Sequence, residues 1–249
     1  MNLLLAGAAA LLGLAALTAT RAPAPAPVVV ELFTSEGCSS CPAADAVLRE
    51  LESSQPVPGA EIIALGEHVD YWNHLGWQDP FSTRAYTARQ GAYARRFGSG
   101  SYTPQAVVQG RTELVGSQRA ALLAAIGQAA RAPRAEVLLS GSPGRLRVQV
   151  SNLPAGTGTA RVLLFITESN LSTQVGAGEN AGALLRHAAV VRRLQDLGPV
   201  AANGTFEATP TLAPPPGWNP THLRAVAVVQ AERTGQVVGA AALTLQSRQ

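Results

Sequence analysis

The sequence predicts an α/β domain over residues 28–132 and a small β-rich, sandwich-like domain over residues 133–249, behind a leader and spacer at residues 1–27. Three observations predict this arrangement. Apolar β-branched runs alternate with helical patterns as far as residue 131. Beyond Pro133 the chain reads as short strands separated by turn signals. The two cysteines stand together as Cys38-Ser39-Ser40-Cys41, where the first strand gives way to the first helix.

Each element has a local cause. Val28 to Phe33 is a β-branched apolar run of the kind buried in a sheet. Thr34-Ser35-Glu36-Gly37 breaks it. From Cys41 to Ser53 the pattern becomes helical, with Ala44, Val47, Leu48 and Leu51 on one face and Pro42 in the first turn, where a missing N–H costs little. Glu61 to Glu67 is a second strand, and a helix follows the aromatic loop from about Ser82 to Phe97. Gln105 to Val108 and Thr112 to Val115 form a hairpin around Gln109-Gly110-Arg111, and Gln118 to Ala130 closes the unit as a helix. The order is β-α-β-α-β-β-α. Seven strands are expected beyond Pro133: Glu136 to Leu139, Leu146 to Val150, Arg161 to Thr167, Leu185 to Leu194, Gly204 to Thr209, Leu223 to Gln230 and Val237 to Leu245.

Composition narrows the setting. Hydrophobic residues make up 47% and charged residues 14%, which fits a packed globule and not a disordered chain. All 19 basic residues are Arg; they are scattered, and the net charge is only +3, so there is no basic stripe for nucleic acid. Leu3 to Ala19 is apolar and leads through Ala22 into a Pro/Ala spacer at Pro23 to Pro27. That reads as an export signal, although no Lys or Arg precedes the apolar run. The expected location is periplasmic or secreted, with a membrane anchor if the segment stays uncleaved.

The cysteine pair carries the chemistry. A disulfide across a two-residue gap encloses almost no chain, so it adds little entropic stability and serves poorly as a staple. At a helix N-terminus the free N–H groups and the positive end of the dipole stabilise a thiolate. Cys38 is therefore the expected nucleophile and Cys41 the resolving thiol, with no cofactor beyond the disulfide itself. Glu36 opposes the thiolate slightly. Two alternatives stand beside this reading. One is an inert disulfide in a binding module; the other is a copper-handling site using Cys38, Cys41 and His68, since thiolates with imidazole suit Cu(I).

Together with Thr103-Pro104 before a hairpin strand, this order resembles the thioredoxin superfamily. The resemblance implies a thioredoxin-like fold over residues 28–132, a cis peptide bond at Pro104, and Thr103 offering its backbone to an incoming client. It also implies a proton-transfer role for Glu31, which sits in the matching strand one residue farther from Cys38 than the superfamily pattern; such a shift changes the face of a strand. ELFTSEGCSSCPAAD, HVDYWNHLGWQDPF, ARQGAYA and YTPQAVVQG further resemble a bacterial family of exported proteins of unknown function, DUF1223. This likeness extends to Gly178-Glu179-Asn180 and to His187 through Arg192.

The loop His68 to Trp77 gathers Asp70, Tyr71, Trp72 and His74. Tyr71 and Trp72 are expected at the wall of a client groove, with His68 and Asp70 as further proton-transfer candidates; packing of the loop onto the core is the alternative. The expected partners are thiol- or disulfide-bearing protein clients. In the second half, His187, Arg192 and Arg193 read as charges on a solvated strand face, and Trp218 and His222 have no evident partner.

Overall fold

A computed structural model describes residues 24–142 and 144–245; the apolar run expected to direct export lies outside them. Among the described residues no helix is long and apolar enough to cross a membrane.

The first half follows the expected order: β1 (Ala26–Thr34), α1 (Cys41–Ser54), β2 (Ala60–His68), α2 (Arg84–Phe97), β3 (Gln105–Val108), β4 (Thr112–Val115) and α3 (Arg119–Ala129). Strand β1 pairs in parallel with β2 and antiparallel with β3, which pairs antiparallel with β4. Alternation along β1 sorts two cores. Val28, Val30 and Leu32 meet Ala44, Leu48 and Leu51 of α1 and Leu122 and Ile126 of α3. Val29 points to the opposite face, in a cluster with Tyr86 of α2.

The second half supplies β5 (Glu136–Ser142), β6 (Arg145–Ser151), β7 (Ala160–Glu168), β8 (Leu171–Gln174), β9 (Leu184–His187), β10 (Val190–Pro199), β11 (Phe206–Ala208), β12 (Leu223–Ala231) and β13 (Val237–Thr244). It does not stand apart from the first. One mixed sheet runs β13-β12-β7-β10-β2-β1-β3-β4, alongside a three-stranded sheet β11-β6-β5 and the hairpin β8-β9. The sandwich-like packing expected past residue 133 is present in part: Val148 and Val150 of β6 cover Val162, Ala227 and Val229 of the large sheet.

The two halves join at a narrow seam. Strand β10 pairs with β2 only at Val190 and Gly66, supported by the Gly66 N–H donating to Ala189 O at 2.8 Å. Gly66 permits this approach, because a Cβ there would stand 3.3 Å from Ala188 O. Past the seam the sheet folds over, so Val29, Ile63 and Leu65 share one buried cluster with Phe165, Val226, Val228 and Val237. Burying that face is the physical reason the halves merge. An isolated first half would expose it to water at roughly 25 cal/mol per Å².

The strand expected from Leu185 to Leu194 is broken. It divides into β9 and β10 at Ala188-Ala189, where Ala189 adopts φ 51°. Strand β8 was not legible; Leu171 to Gln174 is short and alternates between half-buried and exposed residues.

Candidate functional site

Cys38 and Cys41 are joined in a disulfide at the start of α1. The N-cap residue, Ser40, makes no side-chain cap; its Oγ lies 3.3 Å from Cys38 Sγ instead. Both cysteines are buried, while Ser39 and Ser40 between them are exposed. The Thr103–Pro104 peptide bond is cis. Gly116 fills the space beside it, for a Cβ there would stand 3.4 Å from Pro104 Cβ and 3.0 Å from Ala44 Cβ of α1.

The aromatic loop packs on this edge. Trp72 Nε1 donates to Thr103 Oγ1 at 2.8 Å, and Trp72 Cβ limits the space at Gly37. Tyr71 is half-buried beside Trp72. Asp70 lies elsewhere in role. Its carboxylate accepts from Thr87 Oγ1 in the first turn of α2, which ties the loop to that helix.

Glu31 is on the wrong face for the cysteines. The one-residue offset carries it away from α1 and toward α2, where it binds Arg89 and accepts a 2.6 Å hydrogen bond from Tyr93. The proton-transfer role expected of it finds no support in this placement. Glu67 shares the same buried pocket, 3.4 Å from Arg89 Nε, with no well-formed hydrogen bond to either oxygen. Burial and the neighbouring Glu31 push the Glu67 carboxyl well above the usual range.

Beneath the disulfide lies a buried network of alternating acids and bases. His68 Nδ1 is 2.6 Å from Asp79 Oδ2, and the same oxygen accepts from the Glu36 N–H at 2.8 Å. The Glu36 side chain accepts from His187 Nε2 at 3.0 Å and from Trp77 Nε1 at 2.8 Å. The two imidazoles meet edge to face at 5.0 Å. Burial works against the His68 imidazolium, but the Asp79 carboxylate outweighs it and holds His68 above its ordinary value. Burial likewise works to raise Asp79, and the facing His68 brings it below the carboxylate range.

Asp45 lies within the charge influence of both histidines of this network. It lies one helical turn beyond Cys41 on the buried face of α1, the i, i+4 spacing that brings side chains together. Burial pushes its carboxyl up, against the pull of His68, His187, the Thr34 hydroxyl and Arg49. A cleft of about 140 Å³ lined by Pro42, Asp45, Arg49, Leu184, Leu185 and Arg186 opens beside it. A larger cavity of about 590 Å³, with Arg111, Thr157, Arg233 and Val238 among its lining, shares no residue with this site.

The second half contributes more than the solvated charges expected of it. His187 is buried against Glu36. Arg192 pairs with the buried carboxylate of Glu168 and stacks on Phe81 and Trp218, and Arg193 also lies over Trp218. The loop between β8 and β9 reaches back over the disulfide. Asn180 Nδ2 donates to the carbonyls of Glu36 at 2.8 Å and Cys38 at 3.0 Å, and Glu179 Oε2 accepts from the Ser39 N–H at 2.9 Å.

Sequence reasoning missed Glu36 as a network member, and also Asp45, Asp79, His187, Glu179 and Asn180. Asp45 had a readable signal, since an acid on the apolar stripe of α1 is out of place. Among the described residues, no group of three or more His, Cys, Asp or Glu has metal-holding geometry.

The fold and the site define a thioredoxin-like protein with a Cys-x-x-Cys disulfide. The chain matches the family described as protein of unknown function (DUF1223) over residues 29–230, and it belongs to that family. It is similar to protein AGR_C_4864 from Agrobacterium tumefaciens, with 26% identity, coverage of 92% of this chain and 98% of that one, and a TM-score of 0.70. It shares its fold with HBP35 of Porphyromonas gingivalis at 16% identity, with coverage of 92% and 80% and a TM-score of 0.54. No curated protein matches it at a significant level.

Proposed function

We propose that this protein exchanges disulfides with thiol- or disulfide-bearing protein clients outside the cytoplasm, with Cys38 as nucleophile and Cys41 as resolving thiol. The observation that carries the reading is the cysteine pair at the head of α1, with the Thr103–Pro104 segment leading into β3. The backbone of Thr103 makes no hydrogen bond among the described residues, so it is free to pair with a client strand.

In the exchange, the Cys38 thiolate attacks a client disulfide, forms a mixed disulfide and releases one client thiolate. Cys41 then loses its proton and attacks Cys38, which re-forms the internal disulfide and releases the second client thiolate. Asp45, one turn from Cys41 and bordering a solvent cleft, is the proton acceptor that this reading favours over Glu31.

Cys41→Ser is the test. Expressed in the native host, it should trap clients as mixed disulfides on Cys38 that are cleaved by dithiothreitol. Absence of any trapped species, with a purified wild type that also fails to equilibrate with glutathione, would discard the proposal.

A further inference from the structure

The backbone N–H groups around Cys38 can be accounted for one by one. Glu36 N–H is held by the Asp79 carboxylate, Gly37 N–H by Ser35 Oγ, and Cys38 N–H by Ser35 O. Ser39 N–H goes to the Glu179 carboxylate, and Cys41 N–H to Cys38 O. Ser40 is left, with an amide that makes no hydrogen bond among the described residues and a hydroxyl beside the sulfur. Of the amides that follow Cys38 into the helix start, the Ser39 N–H is therefore already bonded to a carboxylate, and the Ser40 N–H is the one left open.

The charges agree with the donors. Glu36 and Asp79 each face a histidine. Arg49 and Arg186 line the cleft at Asp45 and approach each other through the Arg49 Nη1 bond to Arg186 O, without pairing with the residues of the Cys38 turn. Glu179 is different, for its only hydrogen-bond partner among the described residues is the Ser39 amide, one residue from Cys38. The Ser39 hydroxyl and then its amide hold the Glu179 carboxyl below its ordinary value.

Resting on the exchange reading, we infer that Glu179 sets the direction of the chemistry: it withholds the Ser39 amide from a Cys38 thiolate and places a negative charge beside it, which favours the disulfide and makes the reduced pair an electron donor. A pair whose thiolate is stabilised is an oxidant; one whose thiolate is denied its donors is a reductant. In the forward step two electrons and two protons leave Cys38 and Cys41. A client disulfide takes them and becomes two thiols. A dithiol reductant then restores the pair.

The test uses the full chain and three variants. Thiolate absorbance at 240 nm of the reduced protein gives the Cys38 acidity, and equilibration with reduced and oxidised glutathione at pH 8 gives the redox constant. Glu179→Gln keeps an acceptor and removes the charge, and Glu179→Ala removes both. Asn180→Ala loosens the same loop and leaves Glu179 in place. Both Glu179 variants should lower the Cys38 pKa, by about one unit for the alanine, a tenfold change in the thiolate equilibrium. Both should also shift the glutathione equilibrium several-fold toward the reduced pair, while Asn180→Ala does not lower the pKa. Glu179 variants with wild-type acidity, or Asn180→Ala reproducing their effect, would overturn the inference. If the wild type itself never exchanges with glutathione, the failure belongs to the exchange reading and not to Glu179.

Discussion

His187 Nε2 lies 3.0 Å from Glu36 Oε1, deep under the disulfide, although 151 residues separate the two in the chain. With Nε2–H as donor, His187 Nδ1 has no hydrogen-bond partner among the described residues. This contact binds the second half of the protein to the turn that carries Cys38.

Removing it leaves Glu36 buried with Trp77 as its remaining side-chain donor. His187→Ala should destabilise the protein by about 3 kcal/mol. Urea denaturation of the oxidised form measures this, and a change under 1 kcal/mol would remove the contact from any structural role.

Asn180 holds the β8–β9 loop over the cysteines through two carbonyls. Loss of that amide should let reagents reach the disulfide more often while the Glu179–Ser39 bond keeps the loop seated, so Asn180→Ala should be reduced by dithiothreitol about tenfold faster than wild type. The global unfolding midpoint should move little, because the bonds lie at a solvent-facing loop. Equal reduction rates would mean that the loop does not guard the disulfide.

Asp45 should govern the second half-reaction and leave the first alone. When the reduced protein meets Ellman's reagent, the first thionitrobenzoate reports attack by Cys38 and the second reports resolution by Cys41. Asp45→Asn should slow the second release about tenfold or more near neutral pH and leave the first unchanged. Glu31→Gln, on the other face of the sheet, should change neither ratio nor pH profile. Equal slowing of both releases in Asp45→Asn would count against a proton-transfer role.

Stability should fall as the solution becomes more alkaline. His68, raised by Asp79, contributes stabilisation that is whole below its unfolded pKa and is lost as pH rises through the folded one. Asp45 and Glu67, raised by burial, bind protons more tightly in the folded state, so ionising them costs stability once pH exceeds their unfolded values near 4. Asp79 runs the other way, its contribution lost as pH falls through its lowered folded value. Urea midpoints should therefore peak at mildly acidic pH and decline toward pH 8.5. Glu67→Gln should flatten that decline, and an unaltered slope would exclude Glu67 as a source.

Much of the first half was readable because its signals are local. The β-branched run at Val28 to Phe33, the apolar stripe of α1 and the hairpin at Gln109-Gly110 each fit within one period of their own geometry. The split between β9 and β10 was not readable, since Ala189 carries no sequence mark of a left-handed residue. Nor was the seam at Gly66 and Val190, a single pairing between strands far apart in sequence.

The sequence by itself determined the thioredoxin-like element order, the cysteine pair at the head of a helix and the proline beside a hairpin, because spacing and side-chain type act over a few residues. Only the tertiary structure decided what surrounds the sulfur. His187 and Glu179 arrive from 151 and 140 residues away, brought there when the second half buries the apolar face of the first. Charge and hydrogen bonding act through space over a few ångströms, and that distance is not written in the order of the chain.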